Sequence, residues 1–169
     1  MIAPVQSKLG LRPYLPDDAP LLAEIFRASI EELTGDDYDP GQQRAWAALA
    51  EDEGAFAAKL AGALTLVATT QGAPVGFASL AGADEIDMLY VHPAATRQGV
   101  AALLVDALER LAAGRGAKRL KADASDTAVG FFEHRGFTAL QRNTVHRNGE
   151  WLANTTVEKK LDKDTKVAP

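Results

Sequence analysis

The chain has 169 residues, 47% of them hydrophobic and 24% charged, a size and composition that predict one soluble domain, residues 1–169, able to bury a core. Its net charge of −5, from 18 Lys/Arg against 23 Asp/Glu, argues against a nucleic-acid partner, which needs a basic surface, and is compatible with a cationic amine. With no cysteine, disulfides, thiolate metal sites and a thiol nucleophile are all excluded.

From the N-terminus, MIAPVQSK lacks the basic and apolar regions of a signal peptide, and no apolar run reaches membrane-span length. A cytoplasmic location and no membrane partner are the expectations. Residues 9–14 read as a strand that Pro13 confines to an edge or an end. Asp17 or Asp18 can cap a helix carrying Leu22, Ile25, Phe26, Ile30 and Leu33 on one stripe. After the break TGDDYDPGQ, residues 42–49 form a second helix with Trp46, and residues 54–62 a further helical turn or two. The period then changes to two: residues 64–69 and 75–80 are strands joined at Gln71-Gly72.

Next comes EIDMLYVHPAATRQGVAALL, residues 85–104. An apolar strand over 86–91 stops at His92-Pro93, a polar loop follows, and Gly99 opens a helix to Gly114 with Val100, Leu103, Leu104, Ala107, Leu108 and Leu111 on its apolar face. A loop and helix start of this kind aims unpaired backbone N–H groups at an anion, and a phosphate suits it. Residues 118–123 form the next strand, so strand, crossover helix and strand predict a parallel pair. Ser125 or Asp126 caps another helix that Gly136 ends, and residues 137–146 and 151–161 make a hairpin about Asn148-Gly149. The tail from residue 162 to 169 is polar. His92, His134 and His146 lack metal-ligand spacing, so no metal is expected.

This order of elements, with three local segments, resembles the GNAT superfamily of N-acetyltransferases over residues 9–161. VHPAATRQGVAALL is similar to the family's acyl-CoA loop, usually Gln/Arg-x-x-Gly-x-Gly/Ala, although Thr96 stands at its first position while Gly99 and Ala101 match. ADASDTAVGFFEHRGF is similar to the fifth strand and the helix after it, and VHRNGEWLANTTVEKKL to the closing hairpin. The resemblance implies an α+β fold whose mixed central sheet has about six or seven strands, splayed between strands four and five and flanked by helices. It further implies acetyl-CoA as acyl donor and direct transfer, in a ternary complex, to an amine of a small molecule or peptide. Relatives of this kind are often homodimers.

Carried onto this sequence, the resemblance places the pyrophosphate at Arg97, Gln98, Gly99, Val100 and Ala101, mostly through backbone N–H groups. Main-chain groups of Leu89, Tyr90 and Val91 then pair with the pantetheine arm as an added strand would. Glu85 falls where the histone-acetylating branch has its general base, and a partly buried carboxylate there would have a raised pKa; Asp87, on the same face of a regular strand, is the second candidate. Phe132 replaces the Tyr that many relatives use to protonate the thiolate, and Ser125 stands where many have Asn near the pantetheine. The acid is therefore unassigned: water is one source, and Tyr90 another only if a bulge brings it to the face of Glu85. The acidic segment Asp36, Asp37, Tyr38 and Asp39, with Trp46, is a candidate acceptor mouth by charge and ring contacts, or else an ordinary loop. The missing Tyr also leaves room for a non-catalytic acyl-CoA-binding module on the same fold.

Overall fold

The alternating and helical stretches sort into one mixed seven-stranded sheet with helices on both faces in a computed structural model that describes residues 8–162. Most of MIAPVQSK and of the polar tail lies outside the described residues. The elements are β1 (Leu9–Pro13), α1 (Ala19–Leu33), α2 (Pro40–Ala47), α3 (Glu53–Ala61), β2 (Leu64–Thr70), β3 (Ala73–Ala81), β4 (Glu85–Val91), α4 (Val100–Gly114), β5 (Arg119–Ser125), α5 (Val129–His134), β6 (Thr138–Arg147) and β7 (Glu150–Lys160). The strand order is β1-β2-β3-β4-β5-β7-β6, so the strand bearing Pro13 is an edge strand, where a missing N–H costs no ladder bond.

Local chemistry accounts for most of the boundaries. Asp39 and Gln42 form a reciprocal capping box that starts α2 two residues earlier than its apolar pattern, with Pro40 in the first turn. Asp18 precedes α1 but does not cap it through its side chain. Its carboxylate accepts from Leu15 N at 2.8 Å and pairs with Arg12 at 2.7 Å, which pins the turn ahead of the helix. Both tight hairpin turns carry two residues of positive φ, Gln71-Gly72 and Asn148-Gly149, the backbone that suits twisted antiparallel strands.

Two cores sandwich the sheet. On one face α4 brings Leu104 and Leu108 onto Ala78, Leu80, Ile86, Leu120 and Val157. On the other, α1 and α3 bring Phe26, Ile30, Phe56 and Leu60 onto Val67, Phe77 and Met88. The first turn of α4 lies tightly on β3: Val100 Cγ1 is 2.9 Å from where a Cβ on Gly76 would sit. Gly76 thereby sets how deep the loop ahead of α4 is seated.

Two irregularities at the centre of the sheet position the site. β4 and β5 are parallel neighbours, but they pair only at Glu85↔Lys121 and Ile86↔Ala122, and then diverge. Opposite β3 the register runs Ser79↔Met88 and then Leu80↔Ile86, so Asp87 is an extra, bulged residue. The bulge sends Ile86 to the α4 face and Met88 to the α1 face, reversing the alternation between them.

Candidate active site

The loop ahead of α4 is held in a conformation that leaves its donors free. Arg97 and Gly99 have φ of 61° and 83°. The first backbone bond into the helix is Leu103 N to Gly99 O at 3.0 Å, and the N–H groups of Gln98, Gly99, Val100, Ala101 and Ala102 find no backbone acceptor among the described residues. Arg97, Gln98 and Gly99 are exposed, whereas the Val100 side chain is buried in the core. Val100 thus offers only its N–H to the outside, and the Gln98 side chain folds back onto Ala94 O at 3.3 Å. Adjacent free donors at a helix N-terminus, with Arg97 beside them, suit a phosphate-type anion.

From this loop a cavity of about 460 Å³ runs along the divergence of β4 and β5. Its walls include Val100, Ala128 and Phe132, and also Ile30, Leu33 and Trp46. Leu89, Tyr90 and Val91 line it with a strand edge that has no partner toward β5. An extended ligand bearing amides can satisfy such an edge by strand addition.

A second, smaller cavity of about 180 Å³ shares Trp46, Ile86, Asp87, Tyr90, Asp123 and Ser125 with the first. Glu85 lines it, at the first residue of β4, exposed rather than partly buried because the strand emerges there from a surface turn. Asp87 lines both cavities and pairs with Lys59 at 3.5 Å. The bulge brings Tyr90 to the face of Glu85, where simple alternation would separate them. Tyr90 is half-buried against Phe26 and Phe77, and burial pushes its phenol pKa well up. Its oxygen accepts from Trp46 Nε1 at 3.1 Å, which leaves its own O–H free to donate elsewhere.

The acidic segment before α2 is tied into the fold by its own hydrogen bonds. Asp39 caps α2, Asp37 accepts from Thr127 Oγ1 at 2.8 Å, and neither they nor Asp36 line either cavity. Tyr38 is buried to 5% exposure; its hydroxyl donates to Ala153 O at 2.6 Å and accepts from Asp126 N at 2.9 Å. It therefore acts as a strut joining this segment to β7 and to the turn after β5, with only part of its surface on the smaller cavity. Trp46 stacks edge-on against it at 5.4 Å and lines both cavities.

Residues 34–159 match the family described as the acetyltransferase (GNAT) domain. The chain belongs to the GNAT acetyltransferase family. It is 36% identical over 148 residues to YafP of Escherichia coli K12, an uncharacterized N-acetyltransferase, covering 88% of this chain and 93% of that one. A crystal structure of a GCN5-related N-acetyltransferase from Rhodopseudomonas palustris, which also carries the name class-II aminotransferase, superposes with a TM-score of 0.91 at 62% identity, covering 93% of this chain and 98% of the other. The fold alone is shared with YncA of Salmonella typhimurium, a putative acetyltransferase solved with acetyl-CoA, at a TM-score of 0.62 and 22% identity over 96% and 98% of the two chains. Family membership makes the chain an acetyl-CoA-dependent acetyltransferase.

Within this GNAT fold, Phe132 is buried between Phe131 and Phe137 and contributes an apolar wall to the larger cavity. Ser125 Oγ accepts from Ala128 N at 3.1 Å, shaping the turn into α5, and lines both cavities. Several lining residues are not among the site residues expected from the sequence: Ser29 and Leu33 on α1, Asp123 on β5, and Arg147 and Asn154 on the last hairpin. Among the described residues no group of three or more His, Cys, Asp or Glu could hold a metal ion, and no helix is long and apolar enough to cross a membrane.

Proposed function

We propose that the chain moves the acetyl group of acetyl-CoA directly to the nitrogen of a small-molecule or peptide amine, with both substrates bound at once. The observation that carries this reading is that the two cavities share one wall at the divergence of β4 and β5, Ile86, Asp87, Tyr90, Asp123 and Ser125 included. A donor in one and an acceptor in the other would meet there, and no cysteine exists to carry the acetyl group between them.

The free N–H groups of Gln98, Gly99, Val100 and Ala101, with the Arg97 side chain, would hold the pyrophosphate. The open edge of Leu89, Tyr90 and Val91 would hold the pantetheine, with the Ser125 hydroxyl beside it and Phe132 packed at its thiol end. When bound, acetyl-CoA supplies a thioester carbonyl that an amine nitrogen attacks as the carbon–sulfur bond breaks. Glu85, a free carboxylate on the acceptor side, takes the proton the nitrogen loses, directly or through water. Asp87 is the weaker candidate because Lys59 already neutralises it. Tyr90 takes the part that Phe132 cannot play: its O–H, oriented by Trp46 and kept protonated by burial, supplies a proton toward the sulfur.

The test is release of free thiol from acetyl-CoA across a panel of primary amines, with the acetylated product identified by mass. Release should require an amine. Tight acetyl-CoA binding with no release from any amine would instead favour a non-catalytic acyl-CoA-binding module. In the same assay Tyr90→Phe should lower kcat about a hundredfold, the lower range for loss of a general acid, while acetyl-CoA affinity is retained. An unchanged kcat would remove Tyr90 from the chemistry.

A further inference from the structure

The smaller cavity is built from both signs of charge, and its pairing pattern is selective. Of its three carboxylates, Asp87 is matched by Lys59 at 3.5 Å and Asp123 accepts from Thr156 Oγ1 at 2.6 Å. Glu85 and Arg147, the remaining charged groups, have no oppositely charged partner within 4.0 Å among the described residues, and they do not pair with each other. Each has a natural neighbour that leaves it free. Lys121 sits beside Glu85 across the β4–β5 pair without bridging to it. Glu150 lies opposite Arg147 on the hairpin but turns to the start of α2, its Oε1 2.9 Å from where a Cβ on Gly41 would be.

We propose that the acceptor is an amino acid, or another small amine that also bears a carboxylate, with its nitrogen on the Glu85 side and its carboxylate on Arg147. This rests on the acetyl-transfer reading of the same site. A guanidinium presents a planar fork of donors that matches a carboxylate, and it is the group of choice for recognising one. Arg147 also lies near enough to Tyr90 to bias the phenol electrostatically, so the carboxylate end and the reacting end belong to one site. At about 180 Å³ the cavity has room for a small zwitterion. An amine with no carboxylate would leave Arg147 to solvent, while Glu85 alone would serve it.

The experiment compares amino acids with their matched carboxamides, which keep the amine and side chain but lose the anion. Thiol release should show kcat/KM higher for the acids by about tenfold to a hundredfold, the range of a charge-assisted hydrogen bond to a carboxylate. Arg147→Gln should collapse that acid-over-amide ratio toward one, mainly through KM, and Arg147→Lys should restore part of it. Acetyl-CoA affinity, read by calorimetry on the same proteins, should stay as in the wild type. Amides or simple alkylamines served as well as the acids, peptide N-termini preferred to free amino acids, or a ratio indifferent to Arg147→Gln would each overturn the inference while leaving acetyl transfer intact. Failure of every amine, with acetyl-CoA bound, would overturn both.

Discussion

Gly99→Glu should reduce acetyl-CoA affinity by at least about a hundredfold, a loss of about 2.8 kcal/mol, without unfolding the protein. Gly99 has φ of 83°, and a Cβ there meets nothing within 4 Å, so the structural cost is confined to the left-handed backbone, about 1–2 kcal/mol for a residue with a Cβ. The new carboxylate would stand among the free N–H groups ahead of α4, occupying the donors meant for the pyrophosphate and repelling it. Calorimetry gives the affinity, and the rise in Tm that acetyl-CoA produces in the wild type should vanish in the variant. Gly99→Asn is the matched control, because Asn tolerates this backbone and adds no charge. Binding that survives Gly99→Glu unchanged would place the cofactor elsewhere.

Glu85→Gln should lower kcat by about a hundredfold to ten-thousandfold, the range for a lost general base, while acetyl-CoA affinity is retained. The amide keeps the shape of the side chain and removes its basicity. Glu85 is exposed and has no ion-pair partner, so the substitution should leave stability within about 0.5 kcal/mol. Because an ammonium acceptor must lose a proton before its nitrogen can attack, the deficit should narrow as pH rises toward the pKa of the acceptor. Thiol release that persists at the wild-type rate would discard Glu85 as base and keep the enzyme. Asp87→Asn is then the next substitution to measure, and its loss of the Lys59 pair would appear in stability as well as in rate.

What was legible in the sequence follows from how local each signal is. The hairpin turns, the α1 and α4 stripes and the parallel β4–β5 pair depend on neighbours a few residues apart or on connection length, and the structure has them where the pattern put them. The loop at Gly99 was readable for the same reason, since strand, glycine and helix are contiguous. One boundary moved and one cap kept its place but changed its bonds: Asp39 formed a box with Gln42 and began α2 at Pro40, while Asp18, at the N-cap position of α1, took Arg12 and Leu15 instead of a helix N–H.

The acceptor side was largely illegible. Its walls come from the segment at Tyr38, α2, β4, β5 and the last hairpin, and Tyr38 reaches 115 positions along the chain to Ala153. Charge and aromatic content make residues 36–39 look like a mouth; Asp39 caps α2, Asp37 accepts from Thr127, and Tyr38 alone of the four lines a cavity. The bulge at Asp87 is the sharpest case. One unpaired residue decides whether Tyr90 faces Glu85, and nothing in EIDMLYV distinguishes a bulged strand from a regular one. Nothing in the sequence singles out Arg147; its meaning comes from Glu150 turning away and from its sharing the cavity with Glu85.

The central claim is that the divergence of β4 and β5, with the loop at Gly99, is built to hold acetyl-CoA. Calorimetric titration of acetyl-CoA into the wild-type protein tests it most directly. The expected result is saturable binding at one site per chain with micromolar affinity, competed by free coenzyme A. Absence of binding at high micromolar acetyl-CoA would contradict it.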